Sequence, residues 1–404
     1  VMTLFTDNNG VSGQEDAVLN ALAGKLTYKS HADGKLTGKL SLAEGLTASA
    51  AHKNITFKTS GKGSYVSPAA EHHAPITAED ATGGTYTLLK DERRDLTHDD
   101  PTKLEGGFGF GGKHAALANY TKNASGNAVT DLTVDLAGHK LTLGMTSNKK
   151  PVGTIFAGEG KTLTIKDSAG GGALHLSANA TAAAARAADA IHAAKNATLK
   201  IEAPVKIDSV HLTQMQAHGV YAGIDSKITL KNLSIRDVSG DEDHASAFNV
   251  YGIGTTRGAA VTVTEDVDIS GVAGSAVYSS MIASGAAINI GGGKIIAAKD
   301  DTKQKNYWAV YAGKGSIFLN QTKNRDLTIE GNMYAGGSSG YDGTIDASFT
   351  TKDSSWTGAV QREGYAAKTN LTLTNGATWM HDVQLSKLAG DASFTTSKLT
   401  KLTG

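Results

Sequence analysis

A short aliphatic triplet that recurs between residues 150 and 320 constrains this chain more than any other feature. In each triplet two aliphatic residues flank a mostly polar one, so the outer side chains share one face of a strand and the central one points the opposite way. This period of two residues predicts β-strands rather than helices. The triplets lie at residues 163–165, 199–201, 228–230, 261–263, 288–290 and 317–319.

Each triplet has a short apolar partner before it and another after it. The earlier partner is an aliphatic residue followed by a ring, and it recurs every 27 to 36 residues, at 155–156, 191–192, 220–221, 250–251, 277–278 and 310–311. The later partner lies at 205–207, 233–235, 267–269, 294–296 and 327–329. The unit therefore contains three short strands, which is enough for one coil of a solenoid.

A single coil of this kind has no way to bury its own apolar face. Stacking coils at about 4.8 Å would join the faces into one core, so we predict an all-β fold, a right-handed parallel β-helix (β-solenoid) with about three strands per coil. We expect N-terminal coils with long irregular loops over 1–128, regular coils over 129–350 and C-terminal coils over 351–404. The alanine-rich segment 181–190 predicts one short helix in a loop, with loops also extruded near residue 240.

The composition excludes several classes of protein. The 404 residues carry 39 basic and 39 acidic side chains, so bulk electrostatics does not favour nucleic acid as a partner. There is no cysteine, which excludes disulfide frameworks and cysteine-based zinc sites. No apolar run reaches the length of a membrane-spanning helix, and we expect any secretion signal to have been removed.

Enzymatic motifs are weak. The string Asp167-Ser168-Ala169-Gly170 lacks the flanking glycine of a serine-protease nucleophile. Acidic residues cluster at 237–243, beside His244, and again at Glu265, Asp266 and Asp268, so carboxylates on neighbouring coils leave a polysaccharide lyase, a glycosidase or a Ca²⁺ site open as alternatives. A solvated acidic loop is the simpler interpretation, and we expect no catalytic residue, metal or cofactor.

The C-terminal coils carry a family resemblance. The strings Ser355-Trp356-Thr357-Gly358 and Leu371-Thr372-Leu373 through Gly376-Ala377-Thr378-Trp379 resemble the last passenger coils of type Va bacterial autotransporters, with Trp356 and Trp379 about one coil apart. The resemblance implies type V secretion, display on the Gram-negative cell surface and a link, in the full-length protein, to an outer-membrane β-barrel. Many self-associating members of this family promote aggregation, biofilm formation or attachment to host surfaces.

The first candidate binding surface is a row of rings, which we name the aromatic row. If the preceding valines point inward, the rings point outward, in register with Phe156 and His192, and Gly219, Ala276 and Ala309 on the same face leave them uncovered. Such rings can stack on a sugar or anchor a protein. They can also stabilise one another, or form a second small core beneath N-terminal loops. The aromatic row is Tyr221, Tyr251, Tyr278 and Tyr311.

The second candidate is the set of central triplet residues, which we name the polar row. The resemblance implies that polar ladders on two antiparallel molecules hydrogen-bond side to side; a simple solvated sheet face is the alternative. The expected function is a non-enzymatic adhesin whose partner is another copy on a neighbouring cell or a host glycan or matrix protein. A carbohydrate-active enzyme, or a stalk presenting the N-terminal region, is the alternative. The polar row is Thr164, Lys200, Thr229, Thr262 and Asn289.

Overall fold

The protein is all-β over the part of the chain that the structure describes. A computed structural model describes residues 46–51, 54–59, 65–66, 75–78, 80–81, 85–97, 115–122, 126–147, 152–181, 187–212, 216–240, 249–279, 285–300, 305–336, 343–363, 366–382 and 399–404. These residues form strands and turns without a helix. Accordingly, no described helix is long and apolar enough to cross a membrane.

The described strands are short, most of them between two and eight residues. In chain order they are β1 (Leu46–Ala51), β2 (Asn54–Thr59), β3 (Tyr65–Val66), β4 (Ile76–Thr77), β5 (Thr85–Thr87), β6 (Glu92–Thr97), β7 (Leu117–Asn119), β8 (Leu132–Asp135), β9 (Lys140–Ser147), β10 (Val152–Ala157), β11 (Thr162–Lys166), β12 (Ala173–Ala180), β13 (Ala187–Ala193), β14 (Thr198–Ile201), β15 (Val205–Leu212), β16 (Gln216–Ala222), β17 (Lys227–Leu230), β18 (Leu233–Ile235), β19 (Val238–Ser239), β20 (Val250–Thr255), β21 (Ala260–Ile269), β22 (Ser275–Ser279), β23 (Ala287–Ile296), β24 (Lys299–Asp300), β25 (Lys305–Asn306), β26 (Trp308–Ala312), β27 (Ser316–Leu319), β28 (Leu327–Glu330), β29 (Asn332–Ala335), β30 (Thr344–Phe349), β31 (Ser355–Thr357), β32 (Val360–Arg362), β33 (Lys368–Leu373), β34 (Thr378–Met380) and β35 (Lys401–Thr403).

The strands stack into a right-handed parallel β-helix, as predicted. Sheet A contains ten parallel strands, β4, β7, β10, β13, β16, β20, β22, β26, β29 and β32. A second, 21-stranded system bends into two halves. Its first half, sheet B, follows each sheet A strand and includes β8, β11, β14, β17, β27, β30 and β33. Its second half, sheet C, includes β9, β12, β15, β18, β28, β31 and β34. The long strands β21 and β23 run through both halves.

The core is built of continuous columns of aliphatic side chains, and each column takes one residue from each coil. In sheet B, Leu163 pairs with Leu132 on one side and Leu199 on the other, and the same register continues through Ile228, Val261, Ile288 and Ile317. All of these side chains are buried. Burial of each side chain contributes about 1.5–3 kcal/mol to the free energy of folding, and this burial depends on contacts between neighbouring coils. The triplet prediction is therefore confirmed.

The predicted helix over 181–190 is wrong where the structure describes it. Residues 187–190 belong to β13, which pairs in parallel with β10 and β16, and every residue of β13 is buried. Alanine favours a helix in isolation, but here the neighbouring coils satisfy its backbone groups and the small side chains fit between the sheets. Residues 182–186 and 241–248, where extruded loops were expected, lie outside the described part.

The corner between sheets A and B repeats its backbone conformation from coil to coil. Gly160, Asn196, Asp225 and Gly258 have φ angles of 68°, 57°, 56° and 67°. Glycine, asparagine and aspartate are the residues that adopt this left-handed conformation most easily. Consecutive corners stack, because the backbone N–H of Asn196 donates to the carbonyl of Ile224, and the backbone N–H of Asp225 donates to the carbonyl of Arg257. The coils consequently turn at the same place along the axis.

The two tryptophans of the C-terminal motif lie one coil apart, as their spacing predicts. Trp356 pairs with Trp379 in the ladder between β31 and β34, and their rings stack at 4.8 Å with an interplanar angle of 7°. Each indole N–H donates to a backbone carbonyl one coil away, that of Gly331 for Trp356 and that of Gly358 for Trp379. Trp356 is buried in the core, and the partly buried Trp379 packs against it.

Candidate functional site

The polar row forms a straight line along the outward face of sheet B. Thr164 pairs with Lys200, Lys200 with Thr229, Thr229 with Thr262, and Thr262 with Asn289. All five side chains are half-buried or exposed, because the aliphatic residues on either side point into the core. The five residues are therefore aligned and accessible to solvent, and their role in self-association stays a prediction.

The line continues beyond the five predicted residues. Asn289 pairs with Phe318, and Phe318 with Asp346. Phe318 is half-exposed, although a ring of this size usually lies in a core. The triplet at 317–319 was recognised from the sequence. Because its central residue is apolar, Phe318 was not assigned to the outward face that it shares with its polar neighbours.

A second line of side chains runs beside the polar row, two residues earlier in each strand, and all but the exposed Lys227 are short. We name it the flanking row; in register order it contains Thr162, Thr198, Lys227, Ala260, Ala287, Ser316 and Thr344.

Charge is distributed unevenly along the polar row. Lys200 is exposed near one end, where its ammonium lies 2.6 Å from Glu202. Asp346 lies five coils further on and accepts a hydrogen bond from the amide of Gln321. Thr229, Thr262, Asn289 and Phe318 between them are uncharged. The polar row therefore has a cationic end, a neutral centre and an anionic end, and the exposed Lys227 of the flanking row lies beside its neutral part.

The aromatic row is not the uncovered surface that the sequence predicts. Tyr221, Tyr251, Tyr278 and Tyr311 are only 7 %, 4 %, 7 % and 5 % exposed, and they form a hydrophobic cluster of their own with Trp308 and Tyr334. The expectation that these rings are open to a ligand is wrong. Their stacking as cross-strand neighbours, which the sequence left as an alternative, is what the structure shows.

The misplaced expectation has a geometric cause in sheet A. Its strands turn two consecutive residues inward, so the outward residues are three apart rather than two. A Cβ at Gly219 would lie 2.9 Å from Cδ1 of Ile235 in the main core, and Ala276 and Ala309 also belong to that core. The residues that share the tyrosine face lie three positions before each ring of the series; they are Asp189, His218, Ser275 and Trp308.

Tyr251 is also out of the predicted register. It pairs with His218, whereas the position opposite Tyr221 belongs to Gly254. The Tyr251 ring leans over Gly254 and fills the gap, which places it 6.4 Å from the Tyr221 ring and 5.0 Å from that of Tyr278. The true repeat of this coil is Ile253-Gly254, which lacks the ring that marks the other coils.

A buried carboxylate lies beside the stack of rings. Asp189 is fully buried and accepts hydrogen bonds from Nδ1 of His192 at 2.7 Å and from Nδ1 of His218 at 2.6 Å. The two imidazoles stack on tyrosines, His192 on Tyr221 at 4.7 Å and His218 on Tyr251 at 3.9 Å. Sequence reasoning missed Asp189 because it lies in the segment predicted as a helix.

The tyrosines of this stack are held in their neutral form. Burial, reinforced by the negative charge of Asp189, raises the pKa of Tyr221 well above its ordinary value of 10.0. Burial also raises the pKa of Tyr251, and electrostatic interactions with Tyr221 and Asp189 raise it further. An ionised phenol in this position would lose its hydration and face a carboxylate, so the stack is suited to stability rather than to proton transfer.

The three carboxylates of the acidic cluster at 265–268 are engaged by two arginines and an amide. Asp268 accepts from Arg236 at 2.9 Å, Asp266 from Arg325 at 3.0 Å, and Glu265 from the amide of Asn232 at 2.7 Å. Within the described ranges no group of three or more histidine, aspartate or glutamate side chains is arranged to hold a metal ion. The cluster at 241–244 lies outside those ranges.

Comparison with known proteins gives no match to a protein family, to a curated protein or to a solved structure.

Proposed function

We propose that this chain is a non-enzymatic adhesin displayed on a Gram-negative cell surface, and that its sheet B face binds the same face of a second copy on a neighbouring cell. The proposal rests on one observation, the in-register polar row with Lys200 towards one end and Asp346 five coils away. The tryptophan motif at Trp356 and Trp379 supports display as an autotransporter passenger, and aggregation and biofilm formation are the expected consequences.

A two-fold axis between Thr262 and Asn289 makes the face self-complementary. Two antiparallel copies then bring Lys200 of each opposite Asp346 of the other, at the ends of a contact about 24 Å long if coils are spaced by about 4.8 Å. Thr229 lies opposite Phe318, and Thr262 opposite Asn289. The flanking row has Ala260 and Ala287 at its centre, where the short side chains allow the two backbones to approach closely.

The contact is weak for one pair of molecules. A hydrogen bond between polar side chains of the two copies, such as Thr262 and Asn289, contributes about 0.5–1.5 kcal/mol, and an exposed ion pair about 0.2–1 kcal/mol. Many copies on two cells act together, however, and this multivalency raises the overall strength without new contacts. A cell surface is therefore the setting in which such a face becomes effective.

Charge reversal tests the antiparallel contact. Bacteria displaying the Lys200→Glu or the Asp346→Lys protein should no longer settle as clumps, because each reversal places like charges together twice. A mixture of the two strains, and a strain carrying both reversals, should clump again, because opposite charges then meet at both ends. The matched control is Lys206→Glu on sheet C, which should clump like the parent.

Two results would count against the proposal. Clumping by both single reversals at the parental rate would show that the sheet B face is not the contact. Loss of clumping in the single reversals without recovery in the mixture would exclude the antiparallel pairing of Lys200 with Asp346. Surface display and a native circular dichroism spectrum are checked for each variant first.

A further inference from the structure

A shallow groove crosses four coils on the outward face of sheet C and lies apart from the proposed self-association face. Its volume is about 300 Å³, at the lower end of the ~300–1,000 Å³ typical of small-molecule sites. One wall consists of side chains aligned by the strand register, His175, Lys206, Ser234 and Asp268. The groove therefore runs along the solenoid axis, with one wall residue supplied by each coil.

The opposite wall consists of the residues two positions earlier in each coil, Ala173, Pro204, Asn232 and Asp266. Ala173 and Pro204 lie on this wall at the end where His175 and Lys206 face them. A methyl group and a pyrrolidine ring offer C–H surface and no side-chain hydrogen bond. At this end one side of the groove is apolar and the other polar, whereas at the far end Asn232 and Asp266 make both sides polar.

The charged side chains of the groove already have partners within the protein. Lys206 lies 2.8 Å from Asp208, and Asp268 and Asp266 are held by Arg236 and Arg325. The hydrogen bond from Arg236 lowers the pKa of Asp268, which keeps that ion pair intact at neutral pH. A strongly charged ligand would have to displace these pairs, so the groove does not favour a polyanion or a polycation.

The neutral polar groups are placed for hydroxyl ligands. Ser234 presents a hydroxyl midway along the wall. Burial and the nearby Lys140 lower the pKa of His175, so its imidazole is neutral at pH 7 and offers one donor and one acceptor. A sugar chain presents hydroxyl edges and C–H faces, which match the polar wall and the apolar Ala173–Pro204 end of the opposite wall.

An extended peptide fits the groove less well. Peptides that lie along a sheet gain affinity from unpaired backbone groups at an exposed strand edge. Here the floor consists of Leu174, Val205, Leu233 and Val267, whose strands are paired with neighbouring coils. The geometry points to a neutral oligosaccharide, lying along the axis between Ser234 and Pro204, as the ligand of this groove.

Titration with three neutral tetrasaccharides, cellotetraose, laminaritetraose and maltotetraose, tests the inference. Backbone amide signals of Lys206 and Ser234 and the imidazole signals of His175 should shift with at least one of them, at millimolar concentrations typical of a shallow site. Ser234→Tyr fills the groove and should weaken binding by about tenfold or more. Thr328→Tyr, three coils further along the same row, is the matched control and should bind like the parent.

A heparin-derived tetrasaccharide and a glycine–serine peptide complete the experiment. Both should leave the same signals unchanged. The inference is overturned if none of the neutral sugars shifts these signals, if heparin or the peptide binds more tightly than the sugars, or if Thr328→Tyr weakens binding as much as Ser234→Tyr. None of these results bears on clumping through Lys200 and Asp346, because that face lies on sheet B.

Discussion

The ring of Tyr251 lies over the backbone of Gly254, three residues further along β20. Without it the stack of sheet A would have a gap between Tyr221 and Tyr278, because Gly254 occupies the position that a ring fills in the neighbouring coils. Glycine is required here for space rather than for backbone conformation. One coil thus keeps the stack continuous with a ring from a different position.

Replacing Gly254 by alanine should destabilise the protein. The new Cβ would overlap the Tyr251 ring, and overpacking of a well-filled site costs about 1–3 kcal/mol. Equilibrium unfolding in urea measures the loss of free energy. The double change Tyr251→Ser and Gly254→Tyr recreates the Ser275–Tyr278 arrangement of the next coil and should recover most of the loss. A double variant no more stable than Gly254→Ala would contradict this account of the ring.

Asp189 should matter more to stability than an exposed aspartate on the same solenoid. Asp189→Ala removes the acceptor of two imidazole N–H groups, and breaking a buried charged contact costs about 3–5 kcal/mol. Asp189→Asn keeps the shape and one carbonyl acceptor, so it should cost less, about 1–3 kcal/mol. The control is Asp208→Asn, an exposed residue, which should change the unfolding free energy by less than about 0.5 kcal/mol. Equal effects at positions 189 and 208 would be inconsistent with the structure.

The ring stack should make the fold sensitive to alkali. The pKa values of Tyr221 and Tyr251 are raised in the folded protein, so the folded state keeps protons that the unfolded chain releases above its ordinary pKa of 10.0. Their contribution to stability is therefore complete below pH 10 and decreases as the pH rises further. Urea unfolding at a series of pH values should show this decrease, and it should be smaller in Tyr221→Phe. Phenolate absorbance that appears for these tyrosines near pH 10 in the folded protein would contradict the prediction.

Sheets B and C could be predicted from the sequence, and sheet A only in part. Sheets B and C obey a period of two, so the triplet at 163–165 and its relatives identify the core and the polar row directly. Sheet A turns two consecutive residues inward, and a period of two then assigns Gly219 to the wrong face. The position of Tyr251 depends on a contact with Gly254 that no local pattern encodes. Asp189 was missed because the alanines around it favour a helix, whereas the neighbouring coils hold the same segment as the buried strand β13.

The groove and the limits of the sheet B face were likewise beyond sequence reasoning. Phe318 lies at the centre of an apolar triplet, and only the register places it between Asn289 and Asp346. The groove depends on Ala173 and Pro204 lying in adjacent coils at the same height. These are relations between residues about 30 positions apart, which appear only when the coils are stacked.

The repeated corner at Gly160, Asn196, Asp225 and Gly258 has a consequence for how such a protein can change over generations. Because each coil turns at the same place and contacts only its two neighbours, a duplication or deletion of one whole coil leaves the remaining environments intact. Length can then vary by genetic unequal exchange without redesign of any corner. The length of the solenoid and the length of its sheet B face would increase together, one coil at a time.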